Sequence, residues 1–215
     1  RAIPAAWEHA DPHQLLDARL AAMDAALGRL LGAAIDGPEV RRAAALAMAA
    51  VNSADFSGRT LGAANAALAD PGRPHLALWQ ALGAIREHRG DGHVACLVTN
   101  RVSPCQSLVM QAATGRSDGE SLRTKRGWSE EEWQTALAQL RERGWLDDQG
   151  RPTPAGVTAR EAIEAATDRL AAPLVANLGD RVGELVEALQ PLAEQIMRAG
   201  EVPKLNNMGL PWPDQ

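Results

Sequence analysis

The chain contains no tyrosine and a single phenylalanine, and aromatic residues make up only 3% of its 215 positions. That scarcity excludes a core built from stacked rings. Alanine and leucine dominate instead, and both favour helices packed closely through small side chains. Cysteine is nearly as rare. Cys96 and Cys105 are too few for a disulfide framework, and neither stands in a CxxC or Cys/His ligand spacing. They read as reduced core thiols. No apolar run reaches the roughly 18 residues of a membrane span, and "RAIPAAWEHADP" lacks the basic-then-apolar plan of a signal peptide. These absences predict a cytoplasmic protein with no membrane partner. Positive charge is in deficit too: a net charge of -5 argues against a surface built throughout for nucleic acid, while leaving room for a local basic patch. A Gly-rich phosphate loop, a GxSxG elbow and a zinc-ligand pattern are all missing. The length allows one large domain or two small ones and buries an ordinary core without staples.

What is present is helical periodicity. In "DPHQLLDARLAAMDAALGRLLG" the apolar residues recur at three- and four-residue steps, with Asp11 as cap and Pro12 in the first turn. Further helices are predicted in "EVRRAAALAMAAVNSA", in part of "SGRTLGAANAALADPGRP", and in "HLALWQALGAIREHR", the last expected to stop or bend at "GDG". Ser103 and Pro104 open another helix that Gly115 closes, and "RSDGESLRTKRGW" reads as a polar loop. The order that follows, a capped helix, a Gly turn, the apolar pair Trp145–Leu146, a polar hairpin tip and "TPAG" opening a new helix, is that of a winged helix-turn-helix. A last amphipathic helix contains Pro191, where a kink is expected. The expected fold is therefore mostly α with a small β-wing: a helical region over 1–100, a winged helix over 101–172, and a C-terminal helix with a Pro/Asn-rich tail over 173–215.

Sequence alone argues against DNA contact without closing the question. A recognition helix that opens Ser129, Glu130, Glu131, Glu132, Trp133 sets three carboxylates beside phosphates. Its distance from the preceding helix also exceeds the usual three- or four-residue turn. Against this stand Arg116, Arg123, Lys125 and Arg126 in the polar loop and Arg151 at the wing tip.

The stretch "REHRGDGH", residues 86–93, is the candidate site. Its histidines are five apart, which is not the spacing that sets two metal ligands on one helix face, so neither a metal nor a cofactor is expected. Without a metal, Arg86, Arg89 and His93 would hold an anionic group while Glu87 or Asp91, with His88 between them, handles a proton. Trp79 lies one helix segment before, and Asp55, with Asn52, Arg59 and Asn65, would line a polar pocket or stand in solvent. The simpler alternative is a helix end whose cations complement the dipole and whose Asp91 forms an Asx-turn.

Four stretches, "LWQALGAIREHRGDGHVACLV", "RGWSEEEWQTALAQLRERGWL", "AGVTAREAIEAATDRLAAP" and "NNMGLPWP", resemble the SalK-like actinobacterial helix-turn-helix family, related to MarR regulators. A fainter likeness runs to the larger subunit of aziridine-forming enzymes of secondary metabolism. The resemblance implies a winged helix. It also leads to the expectation of an enzyme, or an enzyme subunit, performing acid–base elimination or ring closure on a small polar or anionic substrate. The alternative is a ligand-responsive DNA-binding regulator. That family usually begins with a further aromatic helical segment containing its own His, which is expected either to have been cut from this chain or to come from a separate small subunit. A small partner subunit or a second copy is therefore expected to cover the N-terminal helices near Met23, Met48 and Trp79. The tail "NNMGLPWP" either packs Met208, Leu210 and Trp212 on the body or covers a pocket mouth.

Overall fold

In the computed structural model, which describes residues 8–202, helix begins where the sequence places its caps. Asp11 accepts from the Gln14 amide while the Gln14 side chain accepts from the Asp11 amide, closing a capping box at the start of α1 (Pro12–Leu31). A 3-10 segment, Gly32–Asp36, leads to α2 (Pro38–Ser53), then α3 (Thr60–Ala66) and α4 (Pro74–Thr99). The remaining helices are α5 (Pro104–Ala113), α6 (Gly119–Lys125), α7 (Glu130–Glu142), α8 (Pro154–Ala176) and α9 (Arg181–Arg198), which holds Pro191. None of the helices in the described residues is long and apolar enough to cross a membrane. The tail "NNMGLPWP" lies outside the described residues.

Two apolar cores form, and α4 and α8 run through both. The first joins Val40, Ala43, Ala47 and Ala50 of α2 to Leu78, Ala81 and Ala84 of α4, with Leu174 of α8 and Leu185 and Leu192 of α9. Small alanines on α2 and α4 let these helix axes come close, as the composition predicts. The second core gathers Cys96, Val109, Leu122, Trp133, Leu140, Leu146 and Ile163. Both cysteines are free and buried, and burial pushes the Cys105 thiol above its ordinary value.

Two sequence expectations need correction. Helix α4 does not stop at "GDG"; it continues through Gly90 and Gly92 to Thr99. Of the two, Gly92 stands at a close approach, whereas a methyl on Gly90 would meet only the end of Glu87 at 3.5 Å. A methyl on Gly92 would collide with the Arg59 guanidinium and touch Leu170 of α8, and on the other side a methyl on Gly62 of α3 would meet the His88 Cα at 3.1 Å. A continuous helix is kept because tertiary contacts from α3 and α8 outweigh the modest helix cost of glycine, about 1 kcal/mol each.

The second correction concerns the wing. Among the described residues there is no β-strand, so the fold is all-α without a β-wing. Between α7 and α8 the chain makes a hairpin held by one antiparallel bridge, Leu146 to Pro152, and closed by the Asp147 amide donating to the Arg151 carbonyl at 2.9 Å. Pro152 has no N–H to extend a ladder. The Asp147 carboxylate instead accepts from the Gln149 and Arg151 amides and pairs with the Arg151 side chain at 2.9 Å, which ties the tip into a turn.

Candidate nucleic-acid interface and adjoining cleft

The polar segment expected as a loop contains α6. Asp118 caps it by accepting from the Ser121 amide at 2.6 Å, and Leu122, 1% exposed, anchors it in the second core. Burying that leucine contributes about 1.5–3 kcal/mol. The turn from α6 to α7 is residues 126–129, four residues between Lys125 and Glu130. Gly127 adopts a φ of 70°, which a residue with a side chain rarely takes. Helix, four-residue turn containing glycine, helix is the spacing of a helix-turn-helix. The long separation weighed against DNA above is thereby removed.

Arg123 fixes the angle between the two helices. Its guanidinium pairs with Glu120 at 2.7 Å and with Glu130 at 3.2 Å, and donates to the Trp128 carbonyl at 3.3 Å. The three carboxylates at the start of α7 are consequently not equivalent. Glu130 shares the Arg123 charge with Glu120 and accepts from the Gln134 side chain at 2.8 Å, and the Glu132 carboxylate accepts from the Ser129 amide at 2.8 Å in a capping box. Glu131 stays exposed, with Gln134, Thr135 and Ala138 on the same outward face. Arg116, Lys125 and Arg126 are exposed around α6 and, among the described residues, enter no ion pair. Arg143 is unavailable: it donates to the Asn100 and Arg101 carbonyls and stacks over Trp145, 3.7 Å from the ring centroid. Arg151 at the hairpin tip is paired with Asp147.

The residues of "REHRGDGH" disperse along α4 into separate packing tasks. Asp91 Oδ2 accepts from the Gly62 amide at 2.9 Å and so caps α3 from a neighbouring helix. His88, 3% exposed, donates from Nε2 to the Asp55 carbonyl at 3.2 Å and meets Phe56 edge to face. The Asp55 carboxylate is held below its ordinary pKa chiefly by the hydroxyl and amide of Ser57. Arg89 reaches α8, pairing with Glu164 at 3.0 Å and Asp168 at 2.9 Å. Arg86 pairs with its neighbour Glu87. Trp79 stands under the Arg19 guanidinium, 4.4 Å from the ring centroid, beside α1.

Of these residues, His93 reaches the cleft that touches the helix-turn-helix. That cleft, about 340 Å³, lies between α4, α5 and α8 and is also lined by Arg126 from the turn and Arg160 from α8. A second cleft of about 420 Å³, beside Trp145 and the hairpin, shares Met110 and Arg160 with it. Burial lowers the His93 pKa, and Arg89 and Arg160 add to the effect while Glu164 opposes it.

This geometry overturns the enzyme reading. The carboxylates expected to handle a proton are committed to a cap and to a neighbouring arginine and do not converge with the expected anion-holding cations in one pocket. Nor do the described residues hold any group of three or more His, Cys, Asp and Glu placed to bind a metal. Lyase and cyclase chemistry have no support here.

The sequence does not match any curated protein or any solved structure. A helix-turn-helix family matches residues 1–203. This broader family replaces the SalK-like, MarR-related winged-helix resemblance, because the β-wing that resemblance required is not formed. The turn between α6 and α7 agrees with the match, and the chain belongs to the helix-turn-helix family.

Proposed function

We propose that this chain is a DNA-binding regulator whose hold on DNA responds to a small molecule. The observation that carries the reading is the pinned α6–turn–α7 unit, in which Arg123 and Ser129 occupy two of three adjacent carboxylates. The N-terminal end of α7 then enters the major groove with Glu131 as the one of its three carboxylates that no described residue engages, while Glu130 stays exposed beside Arg123. Glu131 would accept from a cytosine amino group, and Gln134 would face an adenine. Arg116, Lys125 and Arg126 supply phosphate contacts from around α6. The negative net charge suits this division, since attraction is confined to one patch and the rest of the surface repels nonspecific DNA.

The test is fluorescence anisotropy with a duplex from the region upstream of the gene, set against an unrelated duplex, over a range of salt. The expected result is tighter binding to the upstream duplex, with log K falling steeply against log salt. Equal, weak binding to both duplexes at low salt overturns the reading.

A further inference from the structure

The cleft between α4, α5 and α8 carries an unused acceptor whose identity the hydrogen bonds fix. Thr167 is fully buried, and its one hydroxyl proton goes to the Ile163 carbonyl at 2.8 Å. The Thr167 oxygen is therefore left to accept, and the group facing it is His93 Nδ1 at 3.0 Å. Neutral His93 carries its proton on Nδ1, which leaves Nε2 as a bare lone pair. No donor from the described residues reaches Nε2. A ligand with an O–H or N–H group would satisfy it.

Two guanidinium groups stand around the same space. Arg160 donates to Gln111 at 3.2 Å and is 3.9 Å from Glu164, a carboxylate already held by Arg89 at 3.0 Å. Its charge is thus only partly matched. Arg126 enters no ion pair among the described residues. The walls between are mixed, with Leu97, Leu108 and Ile163 beside Ser107, Gln111 and the Arg89-held Glu164, and the neighbouring cleft continues past Met110 to Trp145. Volumes of about 340 and 420 Å³ fall in the range of small-molecule pockets.

We propose that this cleft binds a ring-bearing organic anion with a hydrogen-bond donor, held by Arg126, Arg160 and His93 Nε2, and that the anion and DNA compete for Arg126. The second half rests on the DNA-binding reading; the first half does not. Arg126 belongs at once to the cleft lining and to the turn of the helix-turn-helix. Drawn toward an anion in the cleft, its guanidinium is no longer presented to a phosphate. Linkage makes the effect reciprocal, so DNA weakens the anion by the same factor.

Calorimetry of the full chain with 6-hydroxy-2-naphthoate, 2-naphthoate and 2-naphthol separates the parts. The hydroxynaphthoate is expected to bind one per chain. Removing its hydroxyl or its carboxylate should weaken binding roughly tenfold each, about one hydrogen bond or ion contact. Arg160→Gln and the exposed Arg126→Gln should each weaken it several-fold, with the melting temperature of the Arg126 variant unchanged. Equal affinity for all three probes, no binding of any, or indifference to both substitutions overturns the site. In a separate arm, hydroxynaphthoate should lower the affinity of the wild type for its upstream duplex. Arg126→Gln should bind that duplex more weakly and ignore the anion. A duplex affinity that the anion leaves unchanged in the wild type overturns the competition. Absence of any DNA binding removes the regulator reading along with the competition, and calorimetry alone still decides the anion site.

Discussion

Arg123 of α6 and Glu130 of α7 face each other across the helix-turn-helix, with Nε 3.2 Å from Oε2, and the arginine side chain is only 18% exposed. The pair joins two helices and partly offsets a carboxylate at the end expected to meet DNA.

Arg123→Ala should therefore lower stability by about 1–2 kcal/mol, from the hydrogen bond to the Trp128 carbonyl and two largely exposed ion pairs, and weaken DNA binding. Adding Glu130→Gln should return part of both losses, since the orphaned carboxylate is then gone. Urea unfolding of the single and double variants measures the first effect, and anisotropy the second. Additive losses would mean the pair does not act as a unit.

A glycine pair on α4 distinguishes packing from site chemistry. A methyl at Gly92 meets the Arg59 guanidinium, whereas one at Gly90 has the flexible end of Glu87 as its neighbour at 3.5 Å. Gly92→Ala should push the Arg59 end off the Leu170 carbonyl, to which it donates at 3.0 Å, a loss of about 0.5–1.5 kcal/mol that offsets the helix gain of alanine. Gly90→Ala should stabilise by about 0.5–1 kcal/mol, because alanine loses less backbone entropy in a helix. The melting temperature should rise for Gly90→Ala and change little for Gly92→Ala.

Asp91 offers a cap in trans to α3, and its replacement tests that role. Asp91→Ala leaves the Gly62 amide without its acceptor and should cost about 1 kcal/mol, as loss of a helix cap does. Asp91→Asn keeps an acceptor oxygen and should recover most of that stability.

Much of the fold is written locally. The capping boxes of α1, α5 and α7 are visible as Asp11 with Gln14, Ser103 with Gln106 and Ser129 with Glu132, because each needs only residues three apart. Helix α6 escapes notice for the opposite reason: seven residues with Leu122 as the single buried side chain show no period. Its signal is confined to its ends, Asp118 as cap and Arg123 and Lys125 in the last turn. The stretch "REHRGDGH" misleads because its charged residues serve different neighbours. Asp91 answers α3 and Arg89 answers α8, relations that sequence spacing does not carry. The cleft of His93 is equally nonlocal, since Arg126 and Arg160 arrive from distant segments.

Burial lowers the pKa values of His88 and His93 from the ordinary 6.5, and the Arg59 charge on His88 and those of Arg89 and Arg160 on His93 act in the same direction. Asp55 and Asp91 oppose the shift at His88, as Glu164 does at His93. The unfolded chain binds these protons more readily than the folded one, so stability is full above pH 6.5 and declines as pH falls below it. His93→Gln should flatten the curve of melting temperature against pH between 6.5 and the range near 4 where carboxylates begin to titrate. An unchanged slope would place the acid sensitivity elsewhere.

The DNA contacts divide into two classes with different signatures. Arg116 and Lys125 are exposed beside the turn and would meet phosphates, which carry no sequence information. Changing either to Ala should weaken binding by a similar factor on specific and unrelated duplexes, and lower the slope of log K against log salt by about 1. Thr135 lies on the outward face of α7 and would meet a base edge or a thymine methyl. Thr135→Ala should leave the salt slope intact and narrow the gap between specific and unrelated duplexes, by about 1–3 kcal/mol at one base position. Anisotropy at several salt concentrations measures both quantities on the same samples. If Thr135→Ala instead changed the slope while the two cation variants changed only specificity, α7 would lie along the backbone and α6 would be the reading helix.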